Sequence, residues 1–104
     1  DYFDDDVEMT TVKSIEVSGC GVDEVNGTYV VRNIETDRYP IFVLKKDGKI
    51  YSLYRDFTDC WVINTKFTPL YRSNGTISPI DKDWEPARGG IEPCPFLKVK
   101  EWFN

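Results

Sequence analysis

Pro40-Ile-Phe-Val-Leu-Lys-Lys46, Asp47-Gly48 and Lys49-Ile-Tyr-Ser-Leu-Tyr54 together form the stretch that decides the fold. Apolar and polar side chains alternate in the two outer runs, a pattern typical of half-buried β-strands. Asp-Gly between them favours a type I′ turn, because both central residues of that turn need a positive φ angle. The sequence therefore predicts a tight β-hairpin over residues 40–54.

The two faces of this hairpin are predicted to differ. With a two-residue turn, Phe42 lies opposite Leu53 and Leu44 lies opposite Tyr51, which makes one face apolar. The other face is mixed and carries Tyr54 near its end. We therefore expect the hairpin to lie near the middle of a sheet.

Short runs with strand composition flank the hairpin on both sides, separated by Gly, Pro, Asn and Asp at intervals of about 8 to 12 residues. These runs cover residues 12–17, 28–31, 60–64, 70–72, 76–78 and 96–99. We find no stretch of ten or more residues with helical periodicity. The pattern predicts a single antiparallel all-β domain, built as a bent sheet, a small barrel or a sandwich, with little helix.

Aromatic residues make up 14% of the 104-residue chain, and a core this small needs several of them. We predict that Trp61, Tyr29, Phe42 and Leu44 lie in the core. Three other aromatic residues are predicted to make surface contacts with a binding partner, namely Trp84, Tyr71 and Tyr54. For Trp84, which lies in a polar loop, a lid over the end of the sheet is the equal alternative.

Charge is distributed unevenly along the chain, which carries a net charge of -5. Five acidic residues and no basic one lie within residues 1–8, whereas the remainder is balanced. We predict that residues 1–11 form a flexible acidic tail and that residues 12–104 form the all-β module. Nucleic-acid binding is not expected, because that affinity comes mainly from clustered Lys and Arg.

Several function classes are disfavoured by what the sequence lacks. It has no His, so mechanisms that need an imidazole base or ligand are excluded. No apolar run reaches the roughly 20 residues of a membrane-spanning helix, and no signal segment opens the chain. We therefore expect a soluble domain, intracellular rather than secreted or at a cell surface. Since the first residue is Asp1 and not Met, we expect a processed product or a piece of a longer polypeptide.

Cys20, Cys60 and Cys94 are too widely spaced for a typical zinc site. We expect no metal and no cofactor. Reduced thiols are favoured, while one disulfide with one free thiol stays open. The carboxylates of Asp56 and Asp59, and those between residues 81 and 85, are interpreted as solvated loop residues. No base and nucleophile pair can be named, so the chain is not expected to be an enzyme.

Two Asn-Gly-Thr triplets, at Asn26 and Asn74, fit the N-glycosylation pattern. Both are also typical of turns, and we favour the turn interpretation.

An ordered series of short motifs spans about residues 15 to 99. It comprises Val17-Ser-Gly-Cys-Gly21, Glu24-Val-Asn-Gly-Thr-Tyr29, Arg38-Tyr-Pro40, Trp61-Val-Ile63, Leu70-Tyr71, Trp84 and Gly90-Ile-Glu-Pro-Cys-Pro95. The series resembles a small module that recurs in multidomain proteins of protists, algae and related eukaryotes. VNGxY and WxI are its most specific elements. Because that module lies beside kinase, ankyrin or ubiquitin-pathway regions, the resemblance implies an accessory interaction role without catalysis.

Together these observations predict a non-catalytic module that binds a protein partner or another domain of its parent chain, and that is itself a monomer. The alternative is a carbohydrate-binding or adhesive module of a secreted or surface protein. In that case Trp and Tyr rings would stack on sugars and the two Asn-Gly-Thr sites would carry glycans.

Overall fold

A computed structural model describes residues 9–33, 39–74, 78–80 and 83–104. In these ranges eight strands form one antiparallel sheet, and two short 3₁₀ turns cover Met9–Thr11 and Asp23–Val25. The strands are β1 (Val12–Ser18), β2 (Gly27–Asn33), β3 (Ile41–Lys46), β4 (Lys49–Arg55), β5 (Trp61–Thr65), β6 (Thr68–Ser73), β7 (Trp84–Pro86) and β8 (Phe96–Trp102). The all-β prediction is confirmed.

The predicted hairpin is β3 and β4, and it lies at the centre of the strand order β7-β6-β5-β4-β3-β2-β1-β8. Phe42 pairs with Leu53 and Leu44 pairs with Tyr51, as the alternation predicts. The turn residues Asp47 and Gly48 have φ angles of 52° and 78°. Local turn chemistry thus sets the register of the central strand pair, and the other strands are added on either side.

The sheet curls into a half-barrel whose concave face holds the core, as the right-handed twist of strands allows. Trp61, Tyr29 and Phe42 are completely buried there, which confirms three predicted core residues. Leu44 is partly buried and packs against the same cluster. Each buried aromatic ring removes about 150 to 250 Å² from water, so a few of them fill this small interior.

The core begins earlier in the chain than the predicted start of the module at residue 12. Met9 is only 2% exposed and belongs to the core, and the Phe103 N–H donates to the Thr11 carbonyl at 2.8 Å. Residues 1–8 of the predicted acidic tail lie outside the described residues. Within the part of the tail that the structure describes, Met9–Thr11 therefore packs against the module.

Strand β6 has a different partner from the one that the sequence predicts. Along its outer edge β6 pairs with β7, with Tyr71 opposite Pro86 and Ser73 opposite Trp84. The hairpin expected between residues 70–72 and 76–78 lies partly outside the described part of the chain, because residues 75–77 are not described.

Two segments, residues 19–25 and residues 87–95, cross the open side of the half-barrel. They touch directly, since the Gly21 N–H donates to the Pro93 carbonyl at 2.8 Å. A Cβ atom on Gly90 would overlap the carbonyl oxygen of Leu70. Glycine is required there because another backbone lies against it. Within the described ranges, no helix is long and apolar enough to span a membrane.

We expect Gly90→Ala to destabilise the protein by at least about 2 kcal/mol, because the added methyl group meets backbone that cannot move freely. Urea unfolding measures this difference. Gly48→Asn is the matched control, since Asn tolerates a positive φ and nothing lies within 4 Å of the added Cβ. Equal stability of the two variants would show that residues 87–95 do not pack against β6.

Candidate interaction surface

Trp84 lies in the short edge strand β7 and covers one part of the core. Its side chain is only 9% exposed, and its indole N–H donates to the Pro79 carbonyl at 3.1 Å. Of the two alternatives that the sequence left open, the structure favours the lid. The prediction that Trp84 presents a surface for recognition is therefore corrected, because the ring is packed and its N–H is already used.

Tyr71 is completely buried on the concave face of β6. Its hydroxyl group donates to the Ile91 carbonyl at 2.5 Å and accepts the Val22 N–H at 3.0 Å. The prediction that Tyr71 makes surface contacts with a partner is thus corrected. The physical reason is that its ring belongs to the core, where its hydroxyl bonds one backbone group of each crossing segment.

Tyr54 is the one of the three predicted contact residues that remains accessible. It lies half-buried on the convex face of β4, opposite Val62 of β5. The Asn64 side-chain amide donates to its hydroxyl oxygen at 2.9 Å. The structure therefore does not bring the three residues together, since Tyr54 lies on the opposite face of the sheet from Tyr71 and Trp84.

A groove of about 370 Å³ surrounds Tyr54 on the convex face of β4, β5 and β6. We call it the aromatic groove. Its lining residues are Tyr54, Arg55, Asp56, Phe57, Val62, Asn64, Phe67, Pro69, Arg72 and Ala87. Phe57 is 96% exposed and Phe67 is 98% exposed, so two phenyl rings that line the groove lie almost wholly in water.

The loop between β4 and β5 carries Phe57 and is held together by one carboxylate. Asp56 Oδ1 accepts the Thr58 N–H at 2.9 Å, the Thr58 hydroxyl at 2.5 Å and the Cys60 N–H at 3.3 Å. Partial burial opposes ionisation, but these hydrogen bonds and the charge of Arg72 outweigh it and lower the pKa of Asp56. The loop therefore keeps its carboxylate charged and its shape fixed at neutral pH.

Phe67 lies in the tight turn between β5 and β6. Thr65 pairs with Thr68, which leaves Lys66 and Phe67 as the two turn residues, and Lys66 has a φ of 52°. A two-residue turn is too short for its side chains to reach back over the core. The exposure of Phe67 thus follows from the turn itself.

Two arginines lie at the groove, and both are held by neighbours. The Arg72 guanidinium donates to the Thr58 hydroxyl at 2.7 Å. The Arg55 guanidinium lies 4.1 Å from the centre of the Tyr39 ring and 3.6 Å from an Asp59 carboxylate oxygen. These contacts orient the cations and keep one carboxylate and one hydroxyl beside them.

Two buried N–H groups near Tyr39 have no hydrogen-bond partner among the described residues. Tyr39 packs edge-on against Trp61, with ring centres 6.3 Å apart. The Arg55 Nε–H and the Trp61 indole N–H are buried, and neither has a hydrogen-bond partner in the part of the chain that the structure describes. Both donors belong to side chains that contact the Tyr39 ring.

A second groove of about 530 Å³ lies beside the first, over β2, β3 and β4. We call it the valine groove. Its lining residues are Thr28, Val30, Val31, Arg32, Val43, Leu44, Lys45 and Ile50. The apolar side chains of Val30 and Ile50 are 46% and 48% exposed. Exposed apolar side chains thus line both grooves.

The carboxylates that the sequence singles out do not form a reactive group in the described residues. Asp56 is bonded to its own loop, and Asp59 pairs with Arg55. Asp81 lies outside the described ranges. No set of three potential metal ligands lies together among the residues that the structure describes.

Phe57 and Phe67 were missed as candidate site residues from the sequence. Each is a single aromatic residue between polar neighbours, in Asp56-Phe-Thr-Asp59 and in Thr65-Lys-Phe-Thr68. An aromatic residue at a position with turn chemistry is the signal that would have found both, since such a position cannot reach the core.

A scan against models of known protein families matches none of them, and searches of curated proteins and of solved structures find no similar protein.

We expect Tyr71→Phe to destabilise the protein by about 1 to 3 kcal/mol, because it removes two partly buried hydrogen bonds, to the Ile91 carbonyl and from the Val22 N–H, each worth about 0.5 to 1.5 kcal/mol. Chemical denaturation measures the loss. Tyr54→Phe is the matched control and should cost no more than about 0.5 kcal/mol, since its hydroxyl is accessible to water. If Tyr71→Phe is as stable as Tyr54→Phe, the hydroxyl of Tyr71 does not close the half-barrel.

Proposed function

We propose that this chain is a non-catalytic interaction module that binds a protein segment through the aromatic groove. The observation that carries the proposal is the almost complete exposure of Phe57 and Phe67, which both line one groove on the convex face. The segment belongs to a partner protein or to another part of the same polypeptide.

Two exposed phenyl rings supply the apolar anchors that such binding needs. Burying one ring against a partner is worth about 1.5 to 3 kcal/mol, so two rings together account for a substantial share of a moderate affinity. A few apolar anchors usually carry most of the energy of an interface. Phe57 and Phe67 lie at opposite ends of β5, so a segment bound along this strand can contact both exposed rings.

The groove also contains polar groups that can recognise a backbone. The Tyr54 hydroxyl accepts a hydrogen bond from Asn64, which leaves its own hydrogen directed away from that amide and able to donate to a carbonyl. Arg72 has donors beyond the one that it uses with Thr58. Apolar anchors with a small number of fixed polar groups suit an extended peptide.

The alternative is a carbohydrate-binding or adhesive module. Of the three tryptophans, Trp61 and Trp84 are buried, whereas Trp102 is 52% exposed on edge strand β8, away from the aromatic groove. The Asn26 side chain accepts the Cys20 N–H at 2.9 Å, which supports a structural role for this amide. Exposed Phe rings without a neighbouring Trp favour a protein ligand over a sugar.

The test uses a random-peptide display library panned on the immobilised protein, followed by titration of the enriched peptides. We expect Phe57→Ser and Phe67→Ser each to weaken binding at least about tenfold, because each removes one apolar anchor. Amide chemical-shift changes in labelled protein should fall on β4, β5 and β6.

Phe103→Ser is the matched control, because Phe103 is also a partly exposed phenyl ring but lies next to Thr11, outside the groove. It should bind like the unsubstituted chain. The proposal fails if no peptide is enriched, or if all three variants bind equally well. Binding of glycans on an array, lost on replacing Trp102, would favour the alternative.

A further inference from the structure

Cys20 and Cys94 lie opposite each other on the continuation of the β1 and β8 pairing. The two strands are antiparallel, and the last paired residues at this end are Ser18 and Phe96. Two residues beyond that pair, the same register sets Cys20 against Cys94. The two cysteines are far apart in the sequence, so only the pairing of β1 with β8 shows that they lie opposite each other.

A backbone hydrogen bond marks the same register one residue further on. The Gly21 N–H donates to the Pro93 carbonyl at 2.8 Å, so the two chains remain adjacent past the cysteines. A Cβ atom on Gly21 would overlap the Glu92 carbonyl oxygen. The Ser18–Phe96 pair on one side and the Gly21–Pro93 hydrogen bond on the other therefore both set Cys20 opposite Cys94.

The two side chains belong to the same packed cluster. Cys20 is 6% exposed and is part of the core, and the half-buried Cys94 packs against that core. Burial, with a smaller contribution from the charge of Cys94, raises the pKa of Cys20 to about 12. The two sulfurs are thus close enough for one to influence the ionisation of the other.

We propose that Cys20 and Cys94 form an intramolecular disulfide on reaction with a low-molecular-weight disulfide such as oxidised glutathione. Opposed residues of antiparallel strands have Cα atoms about 4.5 to 5.5 Å apart, and the Gly21–Pro93 hydrogen bond keeps the two backbones adjacent beyond the strands. A disulfide spans Cα separations of about 4.4 to 6.8 Å, so this register is compatible with the bond. All three cysteines carry free thiols in this structure, and Cys60 stays free in the oxidised form.

The reaction proceeds in two exchanges. Cys94 is the more exposed thiol, and its thiolate attacks one sulfur of oxidised glutathione, whose S–S bond breaks to release one glutathione thiolate. Cys20 then loses its proton to solvent and attacks Cys94 Sγ, which breaks the mixed disulfide and releases the second glutathione. The protein loses two electrons and two protons, and oxidised glutathione becomes two thiols.

The bond would add a covalent link to the closure of the half-barrel. It would join the end of β1 to the segment before β8, next to the place where the Tyr71 hydroxyl bonds both crossing segments. A disulfide that closes a long loop restricts the unfolded chain strongly. Burial also raises the pKa of Cys94, so the exchange should become faster as the pH rises.

The experiment incubates the purified chain with oxidised glutathione, quenches with an alkylating reagent and maps the peptides by mass spectrometry. We expect a Cys20–Cys94 cross-linked peptide, a loss of two hydrogen atoms from the intact mass, and an alkylated Cys60. The thermal midpoint should rise by roughly 10 °C and fall back when a reductant is added.

Cys60→Ser is the matched control and should form the same bond with the same rise in midpoint. Cys94→Ser and Cys20→Ala should each stop at a glutathione adduct or at free thiols, and having both variants covers the case in which one of them folds poorly. The proposal is overturned if the unsubstituted chain keeps three free thiols, carries only glutathione adducts, or pairs Cys60. None of these outcomes depends on peptide binding in the aromatic groove.

Discussion

The hydroxyl of Tyr71 is the contact on which the closed form of this sheet depends. A half-barrel leaves one side open, and residues 87–95 join its two edge strands, with residues 19–25 hydrogen-bonded to them. Their backbone groups at Val22 and Ile91 meet the same buried oxygen. Tyr71 is completely buried, and its hydroxyl would be costly to bury without these two partners. Closure of the sheet and burial of its largest side chains are therefore linked.

The packed interior also decides where exposed apolar side chains lie. Because Trp61, Tyr29 and the other concave rings fill the interior, the two exposed rings of the proposed binding site lie at turns of the sheet. The short connections that join β4 to β5 and β5 to β6 then force Phe57 and Phe67 outward. In the proposed interaction role, buried strand residues stabilise the fold and exposed residues of the connections contact the partner.

Local patterns in the sequence predicted the centre of the fold well and its edges poorly. The Asp47-Gly48 turn specifies its own φ angles and register, so β3 and β4 could be predicted directly. The burial of Trp84 could not be predicted, because its three-residue strand in a polar loop is stabilised only by the strand with which it pairs. The burial of Met9 was missed because one apolar residue beside an acidic run shows no periodicity.

The candidate site was harder to predict than the fold, because exposure depends on topology. Adjacent residues of β6, Leu70 and Tyr71, are both buried, which strict alternation does not allow. A register shift between β5 and β6 explains it, because Ile63 pairs with Tyr71 and Asn64 with Pro69, which leaves Leu70 as an extra residue. Of the predicted contact residues, only Tyr54 therefore stays accessible.

Amide hydrogen exchange of the Val22 N–H tests the closure most directly. Because this amide is bonded to the buried Tyr71 hydroxyl, it should be protected nearly as strongly as the amides of the central strands β3 and β4. Exchange of Val22 at the rate of an unprotected amide, with β3 and β4 still protected, would show that the half-barrel is open and that Tyr71 does not close it.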